Sequence, residues 1–152
     1  MSVGKKNSDV SLGSIVGSEN VSRDLDILSH YFREPIEQSG LQVVYPGSVE
    51  EVQGIARLAT KDKIPIYTIN DQYLRQEVAK KGGILLDFKR MNKIERVDSK
   101  NLVVHVQRGV TFPELIAQLK KHKVRTMLPA AATSRSVLCN FVNRAVMQAA
   151  AR

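Results

Sequence analysis

The chain has 152 residues, 43% hydrophobic and 25% charged, with a formal net charge of +8. That length sets one domain, in one lobe or two, and the composition is that of a folded chain with a core, which excludes a disordered or fibrous polymer. The single cysteine, Cys139, excludes an internal disulfide or a Cys-rich zinc centre, and no apolar run approaches the roughly 18–20 residues of a membrane span.

The first 20 residues, rich in Ser, Gly and Lys, read as a flexible or loosely helical segment without the apolar stretch of a signal peptide, so the expected setting is cytoplasmic. From Ser22, SRDLDILSHYF offers a cap followed by Leu25, Leu28, Tyr31 and Phe32 on one helical face. LQVVYP is a short buried strand over Leu41 to Tyr45. Ser48 then starts SVEE, a capping box with Glu51, and Val52, Ile55, Ala56 and Ala59 form the stripe behind it. IPIYTI is a second strand, so strand, helix and strand make a βαβ unit with a parallel pair.

The segment Thr68 to Lys81, TINDQYLRQEVAKK, is polar and free of glycine, with helical character in Leu74 and Val78, and in Glu77 and Lys81, four apart. ILLDF after Gly83 is a third strand. IERVD and LVVHV, around Asp98 to Asn101, read as an antiparallel hairpin in which Leu102, Val104 and Val106 alternate. Thr111 opens a second capping box, TFPE, with Leu115, Ile116 and Leu119 facing inward. A final helix carries Leu138, Phe141, Val142, Ala145 and Ala149 on one stripe.

Catalytic patterns are sparse. His30, His105 and His122 fall on separate elements, at no metal-ligand spacing, and Cys139 has no base near it in sequence. Asp87 and Glu95 could form a carboxylate pair, a pattern too common to carry chemistry alone. Neither a Walker loop nor a G-x-G-x-x-G turn is present. Lys120, Lys121, Lys123 and Arg125 form the densest basic cluster. They read as a helix tail whose cations complement the dipole, and without interleaved aromatics they argue against nucleic acid.

Three segments in order carry a resemblance: GGILLDFKRMNKI, then VQRGVTFPEL, then TSRSVLCN. Together with YPGSVEEVQGIARLATKDKIPI they resemble the FAD-binding domain of FAD-linked oxidases, of the vanillyl-alcohol oxidase and p-cresol methylhydroxylase type, with a flavour of the glycolate oxidase and D-lactate dehydrogenase group. The resemblance implies an α+β fold. Its first lobe would be a small parallel βαβ sheet flanked by helices, followed by a short antiparallel hairpin and a C-terminal helix. Residues 1–20 would form the leading segment and 21–152 a partial FAD-binding domain.

FAD is the implied cofactor, and Pro129, Ala130, Ala131, Thr133, Ser134, Ser136, Cys139 and Asn140 are the implied contacts. The chain departs from the family in the glycine-free Thr68 to Lys81, where a glycine loop would wrap pyrophosphate with backbone N–H groups, and in Cys139, where the family has glycine. A substrate domain and catalytic residues are not expected in this chain, which would not be a competent enzyme alone. The implied function is an FAD-binding, accessory oxidoreductase domain. The alternative is a cofactor-free interaction subunit, either a homo-oligomer or the companion of a larger flavoenzyme.

Overall fold

The computed structural model describes residues 12–37, 39–69, 73–126 and 136–139. They fall into two compact units, Met1–Arg90 and Met91–Arg152, each with apolar packing of its own.

The first unit is built on a four-stranded sheet. In chain order its elements are a short helix α1 (residues 12–16), a 3₁₀ turn (Ser18–Asn20), β1 (Val21–Ser22), α2 (Leu25–Ser29), β2 (Leu41–Val44), α3 (Val49–Asp62), β3 (Ile66–Thr68), α4 (Gln76–Lys81) and β4 (Gly83–Leu86). The strand order is β1-β2-β4-β3, with β1 antiparallel to β2 and the other pairs parallel. The parallel register sets Leu41 to Val44 beside Gly83 to Leu86, and Ile66 to Thr68 beside Ile84 to Leu86.

Period-two alternation sends successive residues of β2 and β4 into two cores. Val44, Ile84 and Leu86 join Leu12, Val16, Ile55 and Ala59 on one face. Leu41, Val43, Tyr45 and Leu85 join Leu28, Phe32 and Ala79 on the other. A strand buried on both faces is apolar almost throughout, which is why ILL reads as an unbroken run, while LQVV is interrupted by the buried Gln42.

β2 and β3 are both parallel to β4 rather than paired with each other, because β4 lies between them. The Gly82-Gly83 pair makes that insertion possible. Gly82 has φ 70° and Gly83 φ 133°, and a Cβ on them would stand 2.7 Å from the Gly40 carbonyl and 2.5 Å from the Pro65 carbonyl. These glycines let three backbones converge at the start of β4.

The first helix after the tail differs from its expectation. Its cap is Asp24, which accepts from the Asp26 amide at 2.9 Å, while Ser22 belongs to β1. The helix lasts five residues, Leu28 is buried and Leu25 is exposed.

The second unit pairs β5 (Ile94–Asp98) with β6 (Val103–Val106) as an antiparallel hairpin bulged between Ile94 and Arg96. Helix α5 (Phe112–Lys121) packs on it through Phe112, Leu115 and Leu119, with Val110 and Val137 in the same core. At the start of α5 the Thr111 amide and hydroxyl both donate to Glu114 Oε2 at 2.8 Å, the carboxylate half of the capping box the sequence requires. Leu102, expected on the inward face with Val104 and Val106, is instead a turn residue with φ 55°, 79% exposed, because the left-handed turn before β6 points it outward. Residues 137–139 are helical. Phe141, Val142, Ala145 and Ala149 of the expected final stripe lie outside the described residues.

Candidate functional site

Ligands of parallel α/β sheets gather where the strands present their carboxyl ends. Here that edge is formed by the residues following β2, β3 and β4. Tyr45, Pro46, Gly47 and Ser48 lead from β2 into α3, Asp87 to Arg90 follow β4, and Ile69 follows β3.

The polar groups of this edge bind one another. The Tyr31 hydroxyl donates to Asp87 Oδ2 at 2.8 Å and lies 3.3 Å from the Tyr45 hydroxyl. Burial, followed by the Tyr45 hydroxyl and the Asp87 carboxylate, pushes the Tyr31 phenol well above its ordinary range. Lys89 Nζ stands 3.7 Å above the centre of the Tyr45 ring, a cation–π contact, while the Lys89 amide donates to Asp87 Oδ1 at 3.0 Å.

On the α3 side, Arg90 Nη1 donates to the Tyr45 carbonyl at 2.6 Å and lies 3.6 Å from Glu51 Oε2. The same Glu51 oxygen accepts the Gly47 amide at 2.7 Å. The capping box of α3 is thus shifted by one position: Ser48 Oγ accepts the Glu51 amide at 3.2 Å, as expected, but Glu51 reaches back to Gly47 rather than to Ser48. Its neighbour Glu50 folds its carboxylate onto its own amide and the Ser48 hydroxyl, which hold it below the usual carboxylate range.

The described residues of Thr68 to Lys81 pair with the exit of α2. Leu74 makes a parallel bridge with Phe32, and its amide donates to the Tyr31 carbonyl at 2.8 Å. Gln76 to Lys81 form α4, so the helical tendency of QYLRQEVAKK is expressed. An open groove of about 390 Å³ lies here, lined by Arg33, Glu34, Leu74, Arg75, Gln76 and Glu77. Its charges balance, and Gln76 Nε2 donates to Glu34 Oε2 at 3.2 Å.

Of the residues proposed from the sequence as cofactor contacts, Pro129, Ala130, Ala131, Thr133, Ser134 and Asn140 lie outside the described residues. Ser136 and Cys139 belong to the second unit. The Ser136 hydroxyl donates to the Arg108 carbonyl and accepts the Cys139 amide at 3.5 Å, while Arg108 Nη2 lies 3.8 Å from Cys139 Sγ. Asp87 belongs to the edge of the first unit and Glu95 to β5 of the second. His30, His105 and His122 are exposed on three different elements. The Tyr31–Tyr45–Asp87 cluster escapes sequence reading because its members are scattered. Only the positions of Tyr45 and Asp87, each directly after a buried apolar run, signal it.

The pattern of the family described as the FAD binding domain matches residues 41–149. The chain belongs to that family. It is 31% identical over 130 residues to the flavoprotein subunit of 4-cresol dehydrogenase (hydroxylating) from Pseudomonas putida, covering 80% of this chain and 25% of the relative. D-lactate dehydrogenase of Anaerostipes hadrus is 32% identical over 76 residues, 49% of this chain and 16% of the relative. The crystal structure of p-cresol methylhydroxylase with substrate bound superposes with a TM-score of 0.74 at 26% identity, over 95% of this chain and 30% of that one. The chain therefore spans 16–25% of these curated relatives' length, and its fold is that of the FAD-binding domain in proteins of the p-cresol methylhydroxylase type.

FAD is the cofactor of this family. A pyrophosphate needs backbone N–H groups that are free to point at it. At the carboxyl edge of the first unit the amides of Gly47, Glu51, Ile69, Leu74 and Lys89 are all bonded within the chain, and Glu50, Glu51 and Asp87 add negative charge. Those amides are not free to point at a pyrophosphate, and residues 70–72 of the Thr68 to Lys81 segment lie outside the described residues.

Proposed function

We propose that this chain is an accessory part of an FAD-linked oxidoreductase, serving as scaffold and contact surface rather than as the holder of the flavin. The observation that supports this reading is that the amides of Gly47, Glu51, Ile69 and Lys89 at the carboxyl edge are bonded within the chain. In this reading residues 1–20 lead into a partial FAD-binding domain over 21–152, no catalytic residue is assigned, and the chain is not an enzyme by itself. It works in an assembly, as a homo-oligomer or beside a larger flavoenzyme chain, in the cytoplasm. Support for assembly comes from the Pseudomonas putida relative, which is by name a flavoprotein subunit. Among the described residues no helix is long and apolar enough to cross a membrane.

A flavin titration tests the proposal. The purified chain is expected to lack the flavin absorbance at about 450 nm, and its melting temperature should stay within about 1 °C when FAD is added. A ligand at 100 times its Kd stabilises by about 2.7 kcal/mol, or roughly 5 °C or more for a chain this long, and a rise of that size would overturn the reading. The same titration weighs a second reading, favoured by a family match that continues to residue 149. There, FAD rests on Pro129, Ala130, Ala131, Thr133, Ser134, Ser136, Cys139 and Asn140 without help from Thr68 to Lys81.

A further inference from the structure

The basic residues look dispersed along the sequence, but the two units divide them unevenly. Residues 91–152 contain eleven Lys and Arg against three Asp and Glu, whereas residues 1–90 contain twelve of each. The first unit is neutral, and the whole surplus of eight belongs to the second. Its three carboxylates are engaged at home. Glu114 closes the α5 capping box, Asp98 takes Arg96 at 2.8 Å together with Asn101, and Glu95 accepts from Gln107 at 3.5 Å.

Four of the second unit's cations gather within six residues at the end of α5: Lys120, Lys121, Lys123 and Arg125. All four are exposed, and among the described residues none pairs with a carboxylate. The dipole of α5 accounts for Lys120 and Lys121, which sit in its last turn. It does not account for Lys123 and Arg125, which lie past the cap at His122. Like charges packed this closely repel one another, and a surface of opposite sign relieves the repulsion.

We propose that the second unit is a docking face for an acidic protein surface, centred on Lys120, Lys121, Lys123 and Arg125; this rests on the accessory role above. A protein partner fits better than nucleic acid. Residues 91–152 contain neither Tyr nor Trp, and Phe112 is buried, so the described residues of this unit offer no aromatic platform for bases. The unit does expose aliphatic surface at Leu102 and Val103, the mixture of apolar and charged contact that protein interfaces use.

The test measures binding of two fluorescent probes by anisotropy, from about 50 to about 300 mM salt. One is an acidic peptide of about 20 residues rich in Asp, Glu and Leu, and the other a single-stranded DNA of equal net charge. The peptide should bind more tightly than the DNA and weaken with salt. The combined substitution Lys120→Gln, Lys121→Gln, Lys123→Asn and Arg125→Gln should weaken it at least about ten-fold, while Lys80→Gln with Lys81→Gln on the first unit should change it less than about two-fold. Unchanged circular dichroism establishes that both variants fold. No peptide binding at low salt, equal weakening by both variants, or tighter DNA binding would each overturn the docking face. Flavin uptake by the same preparation would overturn the accessory role and leave the peptide result intact.

Discussion

At the scale of the residue, Tyr31 couples elements far apart in the chain. Its hydroxyl ties α2's exit to Asp87, 56 residues on, just beyond β4. Tyr31→Phe should cost about 1–2 kcal/mol, read as a lower urea midpoint, because it removes a part-buried hydrogen bond to a carboxylate. The pH dependence has a definite sign. The folded state holds the Tyr31 proton to higher pH than the unfolded chain, whose phenol titrates near 10.0. The contribution is therefore fully present below about pH 10 and is lost as pH rises beyond it. Urea midpoints from about pH 8 to 11 should fall more steeply for the wild type than for Tyr31→Phe; parallel curves would show that Tyr31 is not the group responsible. The partners were illegible in the sequence because no period links positions 31, 45 and 87. Their meeting depends on the strand order, which local pattern does not encode.

The elements themselves were far more legible, for reasons of period and capping. LQVV, ILL and the hairpin segments announce strands through apolar runs or alternation, and α3 and α5 announce themselves by caps with stripes behind them. The misreadings arose at element ends. Ser22 looked like a cap but was drawn into β1, leaving Asp24 to cap α2, and Glu51 bonded the amide one position before the expected one. Thr111→Ala tests the best-formed of these ends. It removes the hydroxyl of the capping box, and the second unit should lose about 0.5–2 kcal/mol, read as lower amide protection across α5. Loss spread equally over β2 and β4 would mean that the cap serves more than its own unit.

For the molecule as a whole, the βαβ reading placed the right strands in one parallel sheet but left out the strand between them. A crossover fixes direction and hand, not adjacency, so β2 and β3 could not be told apart from neighbours. The family resemblance supplied what periodicity could not, a parallel sheet followed by an antiparallel hairpin in one α+β fold, and the likeness to the p-cresol methylhydroxylase structure bears that fold out. The expected cofactor contacts rest on family positions alone, and most of them lie outside the described residues. Leu85, fully buried on β4, reports on the first unit's sheet. Leu85→Ala should cost about 2–5 kcal/mol, and hydrogen exchange should accelerate together at the amides of β2, β3 and β4. Acceleration confined to β4 would show that the sheet does not open as one piece.

The position of β4 also sets the order in which the first unit can assemble. It is the last of the four strands to be made, yet it lies between β2 and β3, so neither can complete its parallel ladder until the chain reaches Leu86. A nascent chain ending before Gly83 holds only the short β1–β2 contact and an orphaned β3. Closing the sheet then requires joining residues about forty apart, a long-range step expected to limit the folding rate. Until it occurs, β2 and β3 present open apolar edges, which makes synthesis of the segment before Gly83 the interval in which this chain is most exposed to misassembly.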